Sequence, residues 1–414
     1  MKKLLSLVLA LAMVLSIASI AVAEEKVTLS FMLPQTHYQD FMKKSTEAFM
    51  AANPGIIIDV QAIPDNQWID LVKTKVNVDE APDIIRVDKG FMLDIGIEHF
   101  LEIGDAEPWY SRANATQLAP KLVDGKVYGM PICSDSAVGL IYNKSLFEKF
   151  NVPVPTTMDE LYAACETFKA NGIDGMYASD KDTWTTQIWL TAAAAQCVAP
   201  EVFAKIMKNE MKWTEVPELE AALTAMAKTR LGGYTNSDFL AATYDGSVAA
   251  IAEGKAAMFV CGQFAISAIK AITPDIDLGM CALPYEGGKL GVIQGVGQLS
   301  IFNTSKHVKE AKLFLDWMSQ PEQMTEYAKA WGEYPVYSDQ KMDMPAWMQE
   351  VNDIYLVPGK TAVEMNSLVP GIDLADFWSY QQEMLTGSID AKVCLEKWQK
   401  SFEDQAKAKG LAGF

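Results

Sequence analysis

Apolar runs and amphipathic stretches alternate along the first part of the chain. Residues 26–33, 56–63 and 81–87 are short runs rich in apolar and β-branched side chains, which is typical of strands inside a sheet. Residues 37–55 instead place apolar side chains on one helical face and end at an Asn-Pro-Gly sequence, which stops a helix. This order predicts βαβ units, and therefore an α/β fold in which a mostly parallel sheet is flanked by helices.

Helical patterns dominate the later part of the chain. Residues 157–172 begin with Thr157 and Glu160 at the spacing of a capping box, which marks a helix start. Residues 306–332 predict a pair of helices, and residues 388–410 predict a last one. The extended stretches between the helical regions predict crossings of the chain between two lobes.

The crossings lie near Asp135, Pro284 and Pro335, where extended sequence replaces helical periodicity. We expect two α/β lobes behind a signal peptide. The predicted segments are residues 1–23 for the signal peptide, residues 24–134 and 286–338 for the N-terminal lobe, and residues 135–285 and 339–414 for the C-terminal lobe.

The first residues have the pattern of a secretory signal peptide. Two lysines precede an apolar stretch over residues 4–22, and Ala21 and Ala23 supply the small side chains of a cleavage site before Glu24. The stretch approaches the length of a membrane-spanning helix, so an uncleaved anchor is the alternative. No cysteine near the cleavage point could carry a lipid. We expect a periplasmic or secreted protein, cleaved near Ala23.

The formal net charge of −18 restricts the possible partners. An acidic surface repels phosphate backbones and anionic lipid, so we expect no nucleic-acid partner, whereas a neutral or cationic ligand can enter. The six cysteines are scattered and contain no Cys-x-x-Cys pair, so their pairing stays open. Those expected to be buried in apolar surroundings are Cys133, Cys165, Cys261 and Cys281.

Motifs for catalysis, metal binding and phosphate binding are missing from the sequence. The three histidines, His37, His99 and His307, are isolated from one another and have no metal-ligand spacing. No cofactor or metal is therefore expected. The 53 acidic residues could supply a carboxylate pair for glycoside hydrolysis, but their context marks no two of them.

Aromatic side chains follow polar or glycine-containing turns at Trp184, Trp331 and Trp378. Rings at the ends of loops present flat apolar faces that suit sugar rings, and nearby polar groups can bind hydroxyls. A place in the core is the alternative for each of them.

Five stretches carry a family resemblance, and they follow one another in the family's order: FMAANPGIIIDV, APDII, YGMPICSDSAVGLIYNKSLFEKFNVPVPTTMDEL, EGKAAMFVCGQFAISAI and GEYPVYSD. Together they resemble the extracellular solute-binding proteins of the maltose-binding type, which serve ATP-binding-cassette (ABC) importers. The resemblance implies the type II periplasmic-binding-protein fold, in which two α/β lobes close on a solute held between them.

The resemblance implies particular ligand-binding positions. In MFVCGQF, the family's pattern is a strand, a glycine turn and then a cleft-facing aromatic residue, which here is Phe264. Trp378 and Trp184 match aromatic positions of the second lobe, and Asp135 and Asp88 match polar positions of the hinge and the first lobe. The alternatives are helix packing for Phe264 and a surface ion pair with Arg86 for Asp88.

Other candidates lie in the first loop and on the crossings. The first loop, PQTHY, differs from the family's usual tryptophan or glycine, and the remaining candidates could also be structural. These candidates are Gln35, His37, Tyr38, Gln294, Glu333 and Tyr334.

The resemblance implies a monomeric, non-enzymatic protein that captures a sugar or oligosaccharide and delivers it to the membrane subunits of an ABC permease. Two alternatives stay open. One is a secreted glycan hydrolase that uses an acid pair among residues such as Asp88, Asp135 and Glu333. The other is the same fold with a different solute, such as a polyamine, a metal complex or a peptide. The negative net charge of the chain makes a cationic ligand conceivable.

Overall fold

The computed structural model describes residues 26–65 and 67–414, so the predicted signal peptide lies outside the described residues. Two sheets, each covered by helices, form the two lobes. The strands are β1 (Val27–Pro34), β2 (Ile56–Ile63), β3 (Ile84–Val87), β4 (Gly129–Pro131), β5 (Ser136–Asn143), β6 (Asp174–Tyr177), β7 (Ala256–Gly262), β8 (Leu278–Cys281), β9 (Leu290–Ile293), β10 (Gln298–Ile301) and β11 (Thr361–Val363).

Helices connect most of these strands. The α-helices are Asp40–Ala52, Trp68–Asn77, Lys89–Ile95, Ala115–Leu118, Lys144–Lys149, Met158–Ala170, Thr183–Cys197, Pro200–Ile206, Pro217–Leu231, Tyr244–Ala252, Phe264–Ile272, Val308–Met318, Pro321–Trp331, Ala346–Val351, Ala375–Leu385 and Ala391–Ala408. Short 3-10 segments cover Gln35–His37, Ile97–His99, Tyr110–Arg112, Ala119–Lys121, Trp213–Glu215 and Met365–Leu368, and a π-helical turn covers Asn352–Leu356.

The helix starts and stops that the sequence predicted are present. The first described helix ends at Ala52, directly before the Asn-Pro-Gly sequence. Thr157 and Glu160 form the predicted capping box, in which the Glu160 N–H donates to Thr157 Oγ1 at 3.2 Å and the Thr157 N–H donates to Glu160 Oε2 at 3.3 Å. Each residue thus satisfies an otherwise unpaired N–H at the helix start.

The first sheet has the strand order β2-β1-β3-β10-β4, and the second has the order β11-β9-β5-β7-β6 with β8 paired to β5. All strands of the first sheet run in one direction except β10, and all strands of the second do so except β5. Each reversed strand begins within a few residues of a crossing between the lobes. The predicted mostly parallel α/β lobes are confirmed, with one reversed strand in each.

Side chains of the central strands alternate between two helical layers. On β1, Phe31 and Leu33 pack on one face with Phe314, which meets Phe31 edge to face at a centroid distance of 5.7 Å. Met32 packs on the opposite face with Trp68. The second sheet repeats this arrangement, because Leu140 and Ile141 on β5 belong to separate cores. Each lobe is therefore a helix–sheet–helix sandwich.

The crossings lie where the chain leaves one sheet for the other. The first runs between Pro131 and Ser136. The second lies after Ile293, because β9 pairs with β5, so the boundary predicted at residues 285/286 moves past β9. Gly297 on this crossing has φ +63°, and a Cβ there would overlap Cys133 on the first crossing, so the two segments approach closely. The third connection passes between Tyr337 in the first lobe's core and Trp347 in the second's.

All six cysteines are unpaired. Cys133, Cys165 and Cys261 are buried as predicted, whereas Cys281 is only partly buried. No helix among the described residues has both the length and the apolar character needed to span a membrane.

Candidate functional site

Five partly exposed aromatic side chains from both lobes lie side by side at the lobe boundary, and we call them the aromatic wall. The His37 ring of the first lobe stacks on Trp331 at a centroid distance of 4.5 Å. Phe264 of the second lobe meets the same indole nearly edge to face, at 6.4 Å and 65°. Trp184 lies 6.2 Å from Phe264 and 5.2 Å from Tyr244. Because neither lobe supplies all five rings, the aromatic wall depends on how the lobes are placed.

The strand–turn–helix segment around Phe264 forms as the sequence predicted. β7 ends at Gly262, and the next helix begins at Phe264. A Cβ at Gly262 would overlap the Phe264 ring, so glycine leaves the space that this ring occupies. The intervening Gln263 is fully buried, and its Nε2 donates to the Gly332 carbonyl oxygen at 3.1 Å. This bond holds the Phe264 segment of the second lobe beside the segment that follows Trp331.

His37 is placed by the short 3-10 segment after β1. Burial, assisted by the nearby Arg86 charge, lowers the pKa of His37 well below its usual value, so the ring is neutral near pH 7. Its buried Nδ1 has no hydrogen-bond partner among the described residues. The histidine ring is thus held against Trp331 in its neutral form, and one of its buried nitrogens is not engaged by another described residue.

Asp88 and Arg86 form the ion pair that was the alternative to ligand binding. The Arg86 Nη1 lies 2.7 Å from Asp88 Oδ1, and the Gly297 N–H donates to the same oxygen at 2.7 Å. Arg86 is buried, whereas the Asp88 side chain keeps 40% exposure. The guanidinium side of the pair is therefore shielded from solvent, and Asp88 retains a second carboxylate oxygen.

Asp135 lies on the first crossing and contacts other residues of the hinge. Its N–H donates to Gln117 Oε1 at 2.7 Å, and its Oδ1 accepts from the Gly295 N–H at 3.4 Å. The buried Lys121 ammonium lies 3.9 Å from that oxygen. Burial raises the pKa of Asp135 and lowers the pKa of Lys121, and the attraction between the two charges opposes both shifts.

Glu333 joins the third connection to the first crossing. Its Oε2 accepts from the Ser134 N–H at 3.0 Å and from the Ser134 hydroxyl, which also accepts from the Tyr334 N–H at 3.1 Å. Burial raises the pKa of Glu333 to about 7 against the effect of these hydrogen bonds. The carboxylate is engaged within the hinge, so its described contacts favour the structural alternative.

The other candidates have no ring contact with the aromatic wall among the described residues. Gln35 is exposed, and the Tyr38 ring lies 5.5 Å from the Lys43 ammonium. The Gln294 N–H donates to Ser367 Oγ at 3.2 Å, and the Tyr334 hydroxyl donates to the Met348 carbonyl oxygen at 3.1 Å.

Trp378 packs partly against the core of the second lobe. No aromatic ring among the described residues pairs with it, so the structure does not join this residue to the aromatic wall. Its helix, Ala375–Leu385, packs beside the helix that carries Trp184.

Two carboxylates at the boundary were missed in the sequence. Asp65 accepts from the Thr36 hydroxyl at 2.8 Å and from the Thr36 N–H at 3.2 Å, directly beside His37. On the other lobe, Asp182 Oδ2 accepts from the Tyr244 N–H at 2.7 Å. Burial raises the pKa of Asp65, with a smaller contribution from the Asp182 charge. Asp65 follows the end of β2, and open α/β sheets bind ligands in the loops beyond the carboxyl ends of their strands, so its position after a predicted strand was a usable signal.

Two pockets on the described residues lie outside the aromatic wall. One of about 350 Å³ lies beside Asp174 and Asp238, and one of about 520 Å³ lies beside Glu107 and Leu313. Within residues 26–65 and 67–414, no cluster of three or more histidine, cysteine or acidic side chains could hold a metal ion.

Comparison with known proteins agrees with the two-lobed fold. A multiple sugar-binding protein of Streptococcus mutans is 25% identical over 73% of this chain and 74% of its own length. The melibiose/raffinose/stachyose-binding protein MelE of Bacillus subtilis is 22% identical over 74% of this chain and 73% of its own. The structure of a Bacillus licheniformis sugar transporter in complex with stachyose superposes with a TM-score of 0.79 at 21% identity, covering 92% of this chain and all of that one. The model of the bacterial extracellular solute-binding proteins matches residues 35–325, and the chain belongs to this family.

Proposed function

We propose that this chain is the solute-binding component of an ABC importer and that it binds a sugar or oligosaccharide between its lobes. The observation that carries the proposal is the aromatic wall, in which Trp331 of the first lobe and Phe264 of the second share one contact. Ring faces of this kind pack against the C–H faces of sugar rings. The sugars named for the related proteins support the same class of ligand.

Polar groups beside the rings provide partners for hydroxyl groups. Asp65 and Asp182 are only partly buried, and Asp88 keeps a carboxylate oxygen free of the contacts described above. A few such hydrogen bonds and ring contacts can supply the roughly 8 kcal/mol that corresponds to a micromolar dissociation constant. Binding of that strength would permit both capture and release.

A ligand that contacts both lobes binds the closed arrangement better than the open one, so it shifts the population toward closure. We propose that the permease subunits recognise this closed form of a monomeric binding protein. Cleavage near Ala23 would place the protein in the periplasm or the medium, which fits an extracellular family.

We propose binding without catalysis. The family to which the chain belongs consists of solute-binding proteins. Two of the carboxylates considered for hydrolysis, Asp135 and Glu333, are engaged by hinge residues. A cationic solute stays the second candidate, because Asp65 and Asp182 place two carboxylates beside aromatic rings.

A thermal-shift screen of the chain from Glu24 onward tests the proposal. Ligand at a hundred times its dissociation constant adds about 2.7 kcal/mol of stability. We expect a shift with one class of sugar, its loss in Trp184→Ala, and no new product by chromatography. Tyr234→Ala is the control, since Tyr234 pairs with Tyr162 and with no ring of the aromatic wall. A shift with polyamines alone would replace the ligand class, and product formation would overturn the binding-only assignment.

A further inference from the structure

Four charged side chains at the lobe boundary form an alternating chain of ion pairs, which we call the latch. Lys73 and Asp94 come from the first lobe, and Asp373 and Lys409 come from the second. The Lys73 ammonium lies 2.5 Å from Asp94 Oδ2 and 2.9 Å from Asp373 Oδ2. The Lys409 ammonium lies 2.8 Å from Asp94 Oδ1. Two of the three contacts therefore join one lobe to the other.

We propose that the latch stabilises the arrangement in which the lobes touch, and that Lys73, Asp94, Asp373 and Lys409 are positioning residues for ligand binding. The other ion pairs within residues 26–65 and 67–414 join residues of one lobe or of the crossings. Separation of the lobes would break Lys73–Asp373 and Lys409–Asp94 and leave Lys73–Asp94 intact.

The second-lobe half of the latch is held in place before the lobes meet. The Asp373 N–H donates to Gln405 Oε1 at 2.9 Å, and Gln405 Nε2 donates back to the Asp373 carbonyl oxygen at 2.9 Å. Asp373 Oδ1 accepts from the Ala375 N–H at 2.9 Å, which leaves Oδ2 for Lys73. Gln405 and Lys409 lie one turn apart at the end of the last helix. Little side-chain freedom is then lost when Asp373 meets Lys73.

The side chains of the latch are partly shielded from solvent, so their ion pairs can shift the equilibrium between separated and touching lobes. The Asp94 side chain is 10% exposed, and those of Lys73, Asp373 and Lys409 are 29–33% exposed. Burial alone would lower the pKa of Lys73, and the contacts with Asp94 and Asp373 outweigh it and raise the pKa. A network of this kind is stronger than an isolated exposed pair, yet it weakens as salt screens it.

The latch therefore makes lobe closure sensitive to ionic strength even when the ligand carries no charge. The Debye length falls from about 10 Å at 0.1 M salt to about 3 Å at 1 M. We expect high salt to favour the open arrangement of the wild-type chain. The part of the inference that concerns ligand affinity rests on the proposed function, whereas the part that concerns lobe separation does not.

The test variant is Asp373→Asn combined with Lys409→Gln, in the chain from Glu24 onward. Asparagine can still accept from the Ala375 N–H, so the helix start is preserved. The matched control is Lys400→Gln combined with Asp404→Asn, which removes a 3.1 Å pair on the same last helix without touching the first lobe. Both variants remove one positive and one negative charge, so their net charge is equal.

Small-angle X-ray scattering without ligand, extrapolated to zero concentration, gives the radius of gyration at 0.02 M and 1 M NaCl. We expect the wild type and the control to expand with salt, and the latch variant to be expanded in both. Equal salt responses of wild type and latch variant would overturn the proposal, as would a wild type that does not respond.

The second readout is the dissociation constant of the compound that gives the thermal shift, measured by calorimetry at low salt. Two lost contacts weaken binding about 3- to 10-fold in the latch variant, and the control is unchanged. Equal affinities in all three proteins would overturn the affinity effect. Absence of sugar binding in the wild type would refute the proposed function and leave the scattering result to decide on the latch.

Discussion

Phe264 and Trp331, which come from different lobes, lie with ring centroids 6.4 Å apart and planes inclined by 65°. Phe264 is carried by the start of a helix in the second lobe, and Trp331 by the end of a helix whose core contacts lie in the first. A ligand beside this pair would contact both lobes at once. The contact thus links the binding surface to the relative position of the lobes.

Gly262→Ala tests how the Phe264 ring is placed. The new methyl group would overlap the ring and displace it, while the strand itself continues. We expect about tenfold weaker ligand binding or more, close to the effect of removing the ring. Calorimetric titration measures this, with Gly90→Ala as the control because a Cβ at Gly90 meets no atom within 4 Å. Unchanged affinity in Gly262→Ala would show that the Phe264 position is not needed.

Glu333→Gln tests the buried carboxyl group of the hinge. Burial raises the pKa of Glu333 to about 7, so the folded chain holds a proton that the unfolded chain releases near pH 4.5. The contribution of this group to stability is therefore present at low pH and is lost as the pH rises from about 4.5 to 7.

Between about pH 4.5 and 7, the contribution of Glu333 to the free energy of unfolding should fall by about 3 kcal/mol. Glutamine can accept the same Ser134 hydrogen bonds but does not titrate, so the free energy of unfolding of Glu333→Gln should lack this pH dependence. Urea unfolding at pH 5 and pH 8 gives both values. Parallel pH profiles of wild type and Glu333→Gln would contradict the assignment.

His37 should stay neutral where an ordinary histidine gains a proton. Its pKa is lowered by burial and by the Arg86 charge, so the stability that it contributes is present above the ordinary value and decreases as the pH falls below it. In nuclear magnetic resonance spectra assigned with His37→Gln, the His37 ring signals should not titrate between pH 8 and about 6. A midpoint near 6.5 would show that the ring is solvated.

Asp65→Asn and Asp182→Asn distinguish the two classes of ligand. An amide oxygen still accepts a hydroxyl hydrogen bond, so a neutral sugar should lose only about tenfold in affinity. A cation loses a direct charge interaction at a partly buried site, and the expected loss is about a hundredfold. A charged ligand is indicated if either variant shows the larger loss.

The periodic elements could be predicted because their signals are local. The runs that form β1, β2 and β3 and the capping box at Thr157 each lie within a few neighbouring residues. The second crossing was predicted too early in the chain, because the glycine-containing stretch before β9 resembles a crossing. In the structure, β9 first pairs with β5, and the chain leaves the second sheet only after it. Crossing and turn use the same residue types, and only strand pairing separates them.

The candidate site was predictable only in part, because local sequence signals do not show which distant residues contact one another. Phe264 and Trp184 follow recognisable turns, whereas the contact between Phe264 and Trp331 joins residues that are distant in sequence. The latch is the extreme case, since Lys73 and Asp373 are 300 positions apart. Nothing in the local sequence of either residue indicates its partner. Charged residues at helix ends are common, and packing of the lobes selects which of them meet.

Calorimetric titration of Trp331→Ala and Phe264→Ala tests whether one ligand is held by rings from both lobes. The wild type should bind one sugar molecule per chain with a micromolar dissociation constant. Trp331 lies in the first lobe and Phe264 in the second, and each variant should lose about tenfold or more in affinity. Tyr234→Ala should bind as the wild type does. Full affinity in either variant would contradict a binding site shared by the two lobes.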